Sequence, residues 1–245
     1  MNIAPFYEKK FEIGDSHVDF CRQLKLSEML SRFQDVATVH AGMLNCGFQA
    51  MRERGYFWVL SRVELEILRA PKVGECVTVR TFPEKPLPLQ CNRCYTMETE
   101  AGERLVNGYS MWCVLDLARN RLTPIRNIGL RDPISYMERD FDANLEKILE
   151  EPGAYVYTKQ VRMSDLDANI HMNNTRYADV IADAFSMEEW QKSRISRIQI
   201  NYLGQARAGD EIRVTKKEDR SKGIFVQGQI DETACFAAKL DLTKR

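Results

Sequence analysis

At 245 residues, the chain is long enough for one large domain or for two domains of about 120 residues each. Apolar residues make up 44% of the chain and charged residues 29%, which is typical of a globular protein and excludes a disordered or fibrous one. The 35 Lys and Arg residues balance 35 Asp and Glu residues, so no overall charge directs the chain to nucleic acid or to an anionic membrane.

The cysteines and the lack of long apolar segments predict the cellular compartment of the protein. The first ten residues contain no apolar run typical of a signal peptide, and no stretch approaches the ~20 apolar residues of a membrane span. Seven cysteines favour reduced thiols over a disulfide framework. Cys91 and Cys94 have the spacing of a metal-binding pair, but neither a second pair nor a nearby histidine completes a site. We therefore expect a cytoplasmic protein without metal, other cofactor or stable membrane insertion.

The first half of the chain is predicted to form a strand, a helix and four further strands. The first strand is expected at 8–13, and the helix at 27–54, where apolar residues recur at steps of three and four. That stripe comprises Met29, Leu30, Phe33, Val36, Ala37, His40, Met43 and Leu44. Later strands are expected from Ser61 and at 76–82, 92–100 and 104–116, with a turn at Gly102. Because His40 lies on the apolar stripe, we expect it to be packed rather than catalytic.

Residues 123–152 contain three prolines and little periodicity, which predicts a connection between two halves. After it, the element order of the first half returns. A strand is expected at 155–163, a shorter helical pattern at 177–190, and further strands from Ser196 and at 211–217, 223–231 and 235–242.

The two halves also share a sequence repeat. When the chain is laid on itself so that Ser61 meets Ser196, identical residues coincide at Arg62/Arg197, Leu68/Leu203, Gly74/Gly209 and Val79/Val214. Strands joined by short turns favour an antiparallel sheet, against which each helix buries its apolar stripe. The arrangement resembles a hotdog fold. We therefore predict an α+β tandem hotdog, with one domain at 1–122, a connecting segment at 123–152 and a second domain at 153–245.

The most unusual segment is 164–177, a polar run before the second helix. In an extended stretch, Asp167, Asn169 and His171 would share one face. A carboxylate, an amide and an imidazole there can orient water, donate to an oxyanion and move a proton, and free amides at the helix start favour negative charge. Polar residues before a helix also cap its backbone, and Asn173 or Asn174 could be the N-cap residue. The residues alone leave both interpretations open.

This segment, 165–177, has the pattern Asp-Leu-Asp-x-Asn-x-His-x-Asn-Asn-x-x-Tyr and resembles the signature of the acyl-acyl-carrier-protein thioesterases, which release free fatty acid. Residues 29–42 resemble the first helix of that family, and the resemblance extends over about residues 5–242. It implies that Asp167, Asn169 and His171 are catalytic. It also implies that the first half holds the acyl chain, that the second half supplies the chemistry, and that acyl carrier protein is the partner.

The sequence departs from that family at one catalytic position. The family places a Glu, followed by a Cys, on the strand after the second helix; aligned on Tyr202, this chain has Gln205 and Ala206. A Gln can position water but cannot act as a base, and Ala206 removes a cysteine nucleophile. We therefore predict attack by water, with Gln205 as a fourth catalytic residue. Whether Asp167 or His171 is the base stays open.

Five further residues are predicted to bind substrate: Asn173 and Asn174 in the polar segment, and Trp58, Met43 and Phe48 in the first half, where apolar side chains suit a fatty chain. Three alternatives to hydrolysis of acyl-carrier-protein thioesters stay open. They are an acyl-CoA thioesterase, a 3-hydroxyacyl dehydratase, and a hotdog protein that binds acyl thioesters without cleaving them. Two hotdogs in one chain are compatible with a monomer or a homodimer.

Overall fold

The structure, a computed structural model, describes residues 4–129 and 136–245. Residues 1–3, and residues 130–135 of the predicted connection, lie outside the described residues. The first half contains strand β1 (Tyr7–Glu12), helices α1 (Leu26–Met43) and α2 (Phe48–Glu53), and strands β2 (Tyr56–Ile67), β3 (Cys76–Pro83), β4 (Cys91–Thr99), β5 (Arg104–Asp116) and β6 (Arg121–Leu122).

The second half has the same order of elements. It contains strand β7 (Ala154–Gln160), helices α3 (Arg176–Ala182) and α4 (Met187–Lys192), and strands β8 (Ser193–Tyr202), β9 (Glu211–Asp219), β10 (Gly223–Ile230) and β11 (Thr233–Lys244). Gly102 and Gly223, at turns before strands, have φ angles of 84° and 103°, a backbone conformation that glycine adopts readily.

Within the described part of the chain, the strands form one antiparallel sheet in the order β1-β3-β4-β5-β2-β8-β11-β10-β9-β7, with β6 beside β5. Outward from β2 the strands are β5, β4, β3 and β1, and outward from β8 the corresponding strands are β11, β10, β9 and β7. Glu64 faces Gln199 at the centre of this pair, and Arg62↔Asn201 and Glu66↔Arg197 flank it symmetrically. These are the positions that the sequence repeat matches. The predicted tandem hotdog fold is confirmed.

Alternation along β2 and β8 separates a core face from a polar face. Val63, Leu65, Ile198 and Ile200 are buried in the main apolar core. On the opposite face, side chains hold the backbone of the connection: Arg62 Nη1 donates to the Leu145 carbonyl at 2.7 Å, and Asn201 Nδ2 to the Glu146 carbonyl at 3.2 Å. The connection therefore covers the joint between the halves.

Helix α1 packs its buried side chains against the sheet of the first half. Its Phe33 ring stacks on Tyr95 with the ring centroids 4.7 Å apart. The single helix expected over 27–54 is wrong, because α1 ends at Met43 and a separate α2 follows. Asn45 takes a φ of 56°, and Gly47 packs so closely on Gly42 that a Cβ at Gly47 would lie 3.1 Å from the Gly42 Cα.

The helix of the second half is shorter than predicted. It ends at Ala182, and α4 begins after Ser186, whose Oγ accepts from the Glu189 amide at 3.2 Å while its own amide donates to Glu189 Oε2 at 2.7 Å. This reciprocal cap starts a new helix instead of extending the old one. The domain boundaries stay a prediction; Ile125 and Ile128, just beyond residue 122, are buried in a first-half cluster with Leu44 and Met51.

Three observations concern membranes, thiols and metals. None of the described helices combines the length and apolar character needed to cross a membrane. All seven cysteines are free thiols. Across residues 4–129 and 136–245, no group of three or more His, Cys, Asp or Glu side chains is arranged to hold a metal ion.

The packing of α1 on the sheet gives a stability prediction. Gly108 of β5 lies against Phe33, and a Cβ there would overlap the ring. We expect Gly108→Ala to lower the free energy of unfolding by about 1–3 kcal/mol, through overpacking. Gly42→Ala, where a Cβ meets nothing within 4 Å, is the matched control and should be neutral or stabilising by roughly 0.5–1 kcal/mol. Urea denaturation measures both; equal midpoints would contradict the described packing.

Candidate active site

A cavity of about 380 Å³ lies between the two halves. The first half contributes α1, α2 and the start of β2, and the second half contributes the polar loop before α3 and the end of β8. The lining includes Ala37, Ala41, Phe48, Met51, Trp58, Asp167, Asn169, His171, Asn174, Tyr202 and Gln205. The cavity therefore joins a mostly apolar wall from the first half, which also contains Glu84 and Arg93, to the polar loop of the second half.

The structure brings seven of the nine predicted site residues to this cavity and leaves two outside it. Met43 is the last residue of α1 and is 48% exposed. The side chain of Asn173 is used locally: its Oδ1 accepts from the amide and the hydroxyl of Thr175, both at 3.0 Å. That these two residues bind substrate stays a prediction.

The polar loop is a closed turn, so the extended stretch expected at 167–171 is wrong. The Asp167 amide donates to the His171 carbonyl at 2.8 Å, and the Ile170 amide donates to the Asp167 carbonyl at 3.0 Å. Ile170 takes a φ of 63° to close the turn. Asp167 Oδ1 accepts from the Asn169 amide at 2.8 Å, a bond by which Asp favours tight turns. Asp167, Asn169 and His171 nevertheless line the same cavity.

Both ends of the loop are anchored. The Met172 amide donates to the Ala206 carbonyl at 2.8 Å, which places the loop beside Gln205. The Asn173 amide donates to the Asp165 carbonyl, also at 2.8 Å. The Asp165 carboxylate is paired with Lys159 Nζ at 2.9 Å, so the first Asp of the sequence pattern supports the loop from outside the cavity.

Two polar groups at the cavity are available to a ligand. Asn169 Oδ1 is buried and has no hydrogen-bond partner in the described structure. The His171 imidazole lines the cavity and makes no hydrogen bond to a described residue. Because a buried acceptor without a partner destabilises the protein, Asn169 Oδ1 is suited to accept a hydrogen bond from water or substrate.

The start of α3 is less available than the sequence indicated. The Thr175 amide donates to Asn173 Oδ1, and the Arg176 amide donates to the Asn173 carbonyl at 2.9 Å. These two amides are therefore not free to stabilise an oxyanion. The Tyr202 hydroxyl donates to the Asn174 carbonyl at 3.0 Å, and burial raises the pKa of Tyr202, so the hydroxyl stays protonated and fixes Asn174.

The first half contains a second copy of this loop, which the sequence repeat did not detect. The Asp19 amide donates to the Gln23 carbonyl at 2.8 Å, and Asp19 Oδ1 accepts from the Cys21 amide at 2.8 Å. Arg22 takes a φ of 60°, as Ile170 does in the other loop. The Leu24 amide donates to the Pro71 carbonyl at 2.8 Å, as the Met172 amide does to Ala206.

The two loops differ in the side chains that face a cavity. Asp19 matches Asp167, whereas Cys21 stands in place of Asn169 and Gln23 in place of His171. Since the same backbone forms in both copies, the Asp shapes the turn, and Asn169 and His171 are specific to the second half. Only the Asp is identical between 18–24 and 166–172, which is too little for sequence comparison to find.

A buried polar group beside the cavity was also missed. Arg93 lines the cavity, is 9% exposed, and donates to His40 Nδ1 at 3.2 Å and to Thr81 Oγ1 at 3.3 Å. His40 itself is fully buried, as predicted, and its Nε2 lies 3.2 Å from the Ala4 carbonyl. Burial and the Arg93 charge lower the pKa of His40 to about 4, so the ring is neutral at pH 7.

Two family models and several plant proteins match this chain in sequence. A family model described as the acyl-ACP thioesterase N-terminal domain matches residues 5–128, and one described as the C-terminal domain matches residues 153–235. The chloroplastic acyl-(acyl-carrier-protein) hydrolase FATB3 of Cuphea viscosissima is 21% identical over 229 residues, covering 88% of this chain and 56% of that protein. The chloroplastic oleoyl-acyl carrier protein thioesterase 1 of Arabidopsis thaliana is 23% identical over 225 residues, covering 84% and 62%.

Two solved structures share the fold over the whole chain. The acyl-ACP thioesterase of Bacteroides thetaiotaomicron has a TM-score of 0.87 at 24% identity, with 98% of each chain covered. The 12:0-ACP thioesterase of Umbellularia californica has a TM-score of 0.86 at 18% identity, covering 99% of this chain and 98% of that one. The chain spans little more than half the length of the plant sequences it matches, at 56% and 62% of the two named above.

The low pKa of His40 gives a pH prediction. As the pH falls below ~6.5, the unfolded chain binds a proton at His40 before the folded chain does, so stability falls. By about pH 4 this group removes about 3 kcal/mol from the wild-type free energy of unfolding. His40→Gln lacks this proton, so its stability should fall less between pH 7 and 4.5 than that of the wild type. Guanidine denaturation at the two pH values measures the difference; identical losses would contradict it.

Proposed function

The chain belongs to the acyl-ACP thioesterase family, and from that premise we propose that it hydrolyses fatty acyl thioesters carried on acyl carrier protein. One observation carries the proposal. Asn169, His171 and Gln205 of the second half line the same cavity as mostly apolar side chains of the first half. A thioester needs this combination, because its alkyl chain is apolar and its carbonyl reacts with water.

The acyl chain is proposed to lie in the first-half part of the cavity. Ala37 and Ala41 leave space beside α1, and Met51 and Trp58 provide apolar surface. Trp58 is held by its Nε1, which donates to the Cys46 carbonyl at 2.8 Å. An alkyl chain enclosed there would place its thioester carbonyl towards the polar loop of the second half.

We assign the base to His171 and a positioning role to Asp167. Both Asp167 carboxylate oxygens are directed at Asn169: Oδ1 accepts from its amide at 2.8 Å, and Oδ2 lies 3.4 Å from its Nδ2. The matching Asp19 forms the same turn without a histidine, which supports a structural role for the carboxylate. The imidazole of His171 has no competing hydrogen bond to a described residue, and imidazole is suited to move protons near neutral pH.

In the proposed reaction, Asn169 Oδ1 accepts a hydrogen bond from the attacking water and His171 removes its proton. The water oxygen bonds to the carbonyl carbon, the carbon–sulfur bond breaks, and the imidazolium returns the proton to the thiolate. The products are a free fatty acid and a thiol. Gln205 lines the same wall and contributes an amide that can donate to the carbonyl oxygen or to the water.

Partner and compartment are part of this proposal. The plant relatives are named for acyl carrier protein thioesters, which supports that carrier over coenzyme A. Seven free thiols support a reducing compartment, and we propose the cytoplasm. The chain carries both halves of the cavity, so a monomer is sufficient for the reaction and a homodimer is equally compatible with it.

The experiment that tests the function measures free-thiol release from acyl-carrier-protein and acyl-CoA substrates of matched chain lengths. Higher kcat/KM on the carrier protein series supports the proposal, and preference for coenzyme A would move the assignment to an acyl-CoA thioesterase. Binding of both series without thiol release would show a binding protein. Water loss from 3-hydroxyacyl substrates would show a dehydratase.

Replacement of His171 by Gln is the sharpest test of the mechanism. The first-half loop holds Gln23 at the matching position with the same backbone bonds, so His171→Gln should fold normally. We expect kcat to fall by roughly 10²–10⁴, because a Gln cannot move the proton. Gln23→His is the matched control and should leave hydrolysis unchanged. Near wild-type turnover by the folded His171→Gln enzyme would remove this residue from the mechanism.

The proposed acyl wall predicts a change in chain-length preference. Ala41→Phe adds a ring to the cavity, so kcat/KM for 16-carbon substrates should fall by about ten-fold more than for 8-carbon substrates, equivalent to ~1.4 kcal/mol. Val39→Phe, on the same helix at a position that is 42% exposed, is the control. An equal effect of Ala41→Phe at all chain lengths would place the alkyl chain elsewhere.

A further inference from the structure

Helix α2 and the segment after β5 form one surface beside the active-site cavity. The Leu117 amide donates to the Gly55 carbonyl at 2.9 Å, which joins the turn after α2 to the turn after β5. The two segments also share one buried apolar cluster. Residues 48–56 and 116–129 are therefore continuous, and we call them the arginine surface.

The arginine surface carries an excess of positive charge in a chain whose charges balance overall. Its two acidic residues are Glu53, which is exposed, and Asp116, whose side chain is 13% exposed. Asp116 Oδ1 accepts from the Ala118 and Arg119 amides, both at 3.0 Å, so this carboxylate is used within its own turn. The basic residues are all exposed arginines: Arg52, Arg54, Arg119, Arg121 and Arg126. Five exposed cations beside one exposed carboxylate favour an acidic partner.

Most of these arginines are not neutralised by the fold. Arg121 and Arg126 make no side-chain hydrogen bond or ion pair with residues 4–129 or 136–245. Arg54 Nη1 donates to a neutral acceptor, the Ile128 carbonyl, at 3.2 Å. Arg119 Nη1 lies 3.9 Å from the carboxylate of its own turn, at the outer limit of an ion pair. The positive charge of the surface is therefore available to a partner.

The arginine surface adjoins the cavity at Phe48. This side chain lines the cavity and is 50% exposed, and the Arg52 guanidinium lies 5.4 Å from the centre of its ring. Leu117 and Leu122 add exposed apolar side chains to the same surface. Aromatic residues and arginine are enriched in protein interfaces, whereas lysine is depleted. The composition therefore indicates a protein partner, held next to the cavity that receives the acyl chain.

The loop before β4 lies beside the arginine surface and does not cancel its charge. The Ile125 amide donates to the Pro88 carbonyl at 2.9 Å, which fixes this contact. The loop contributes an exposed Lys85 and the carboxylate of Glu84, which pairs with Arg139 Nη1 at 2.7 Å. The added acid is thus already neutralised.

The corresponding helix of the second half has a different charge pattern. In α4, Lys192 pairs with Glu188, and Glu189 pairs with Lys216 of β9. The position of this helix in the fold therefore does not require unpaired cations. The arginines of the first half are free to serve another role.

We propose that the arginine surface docks an acidic face of the acyl carrier protein, and that this contact selects the carrier protein over smaller acyl thioesters. The inference rests on the proposed function, which names the carrier. The acyl chain and the thioester are common to all these substrates, so the cavity alone does not distinguish them. A contact outside the cavity does, and exposed cations also speed the encounter with an acidic protein.

Charge changes at Arg121 and Arg126 test the inference, since neither side chain lines the cavity. Gln is used at position 121, because an acid there would face Asp116 across the strand pair. Arg121→Gln/Arg126→Glu should lower kcat/KM for dodecanoyl carrier protein at least about ten-fold, through KM. Hydrolysis of dodecanoyl-N-acetylcysteamine and of dodecanoyl-CoA should stay within about two-fold of the wild type.

The matched control is Arg220→Gln/Lys244→Glu, which makes the same charge change at exposed positions of the second half. It should leave all three substrates within about two-fold of the wild type. Raising NaCl from about 50 to about 500 mM should lower wild-type kcat/KM for the carrier substrate more than that of Arg121→Gln/Arg126→Glu, because salt screens the contact.

Binding without turnover provides an independent readout. Calorimetry with the folded His171→Gln chain measures the Kd for dodecanoyl carrier protein while hydrolysis is slow. Adding Arg121→Gln/Arg126→Glu to this chain should weaken binding about ten-fold.

The inference is overturned if Arg121→Gln/Arg126→Glu is impaired equally on all three substrates, if the control is impaired as much, or if carrier kinetics do not change. Equal losses on carrier protein and coenzyme A alone would show that the arginines bind phosphate groups and not a protein face. Arginine-dependent binding to phosphatidylglycerol vesicles, with unchanged carrier kinetics, would assign the surface to an anionic membrane. Arginine-dependent carrier binding without hydrolysis of any thioester would overturn the proposed function and leave the docking surface.

Discussion

The antiparallel pairing of β2 with β8 is the constraint on which the rest of the structure depends. It joins two half-sheets into one and sets a two-fold relation about Glu64 and Gln199. Each loop is thereby placed against helices of the other half, so the polar loop of the second half lines a cavity together with α1 and α2 of the first. Side chains on the polar face of the pair bind the connection, so the joint is closed on both sides.

The loop shows how a reactive surface can be separated from the scaffold that holds it. Backbone bonds and one Asp form the turn in both halves, whereas Asn169 and His171 occur in one half only. The side chains that face the cavity therefore need no part in folding the turn. Asn169 Oδ1, buried without a partner, illustrates the tension between stability and function at such sites.

Much of the fold could be predicted from sequence, because strand alternation, glycine turns and the repeat are local signals. The repeat aligns Glu64 with Gln199, and these two residues pair at the centre of β2 and β8. The breaks at Asn45 and Ser186 could not be predicted, since apolar periodicity continues across both and the termination depends on close backbone packing and a reciprocal cap. Met43 belongs to the apolar stripe in sequence but not to the cavity in space, whereas Leu44, just beyond the helix, is buried and lines the cavity.

The candidate site was predictable in composition but not in shape. A pattern of alternate polar residues suggests a strand, and only the bonds from Asp167 and Ile170 show that the segment is a closed turn. Arg93 gave no signal, because one Arg within a strand has no distinctive pattern. The twin loop was missed since its shape is encoded by backbone hydrogen bonds that many side chains permit.

The covalent connection between the halves has a consequence for how the two loops can change. In a symmetric dimer of separate chains, one gene specifies both loops, so every mutation alters two sites at once. Here Gln23 and His171 are encoded independently, and each can mutate while the other is preserved. Because the two halves are fused in one chain, the two loops need not keep the same sequence, and each loop can take a different role.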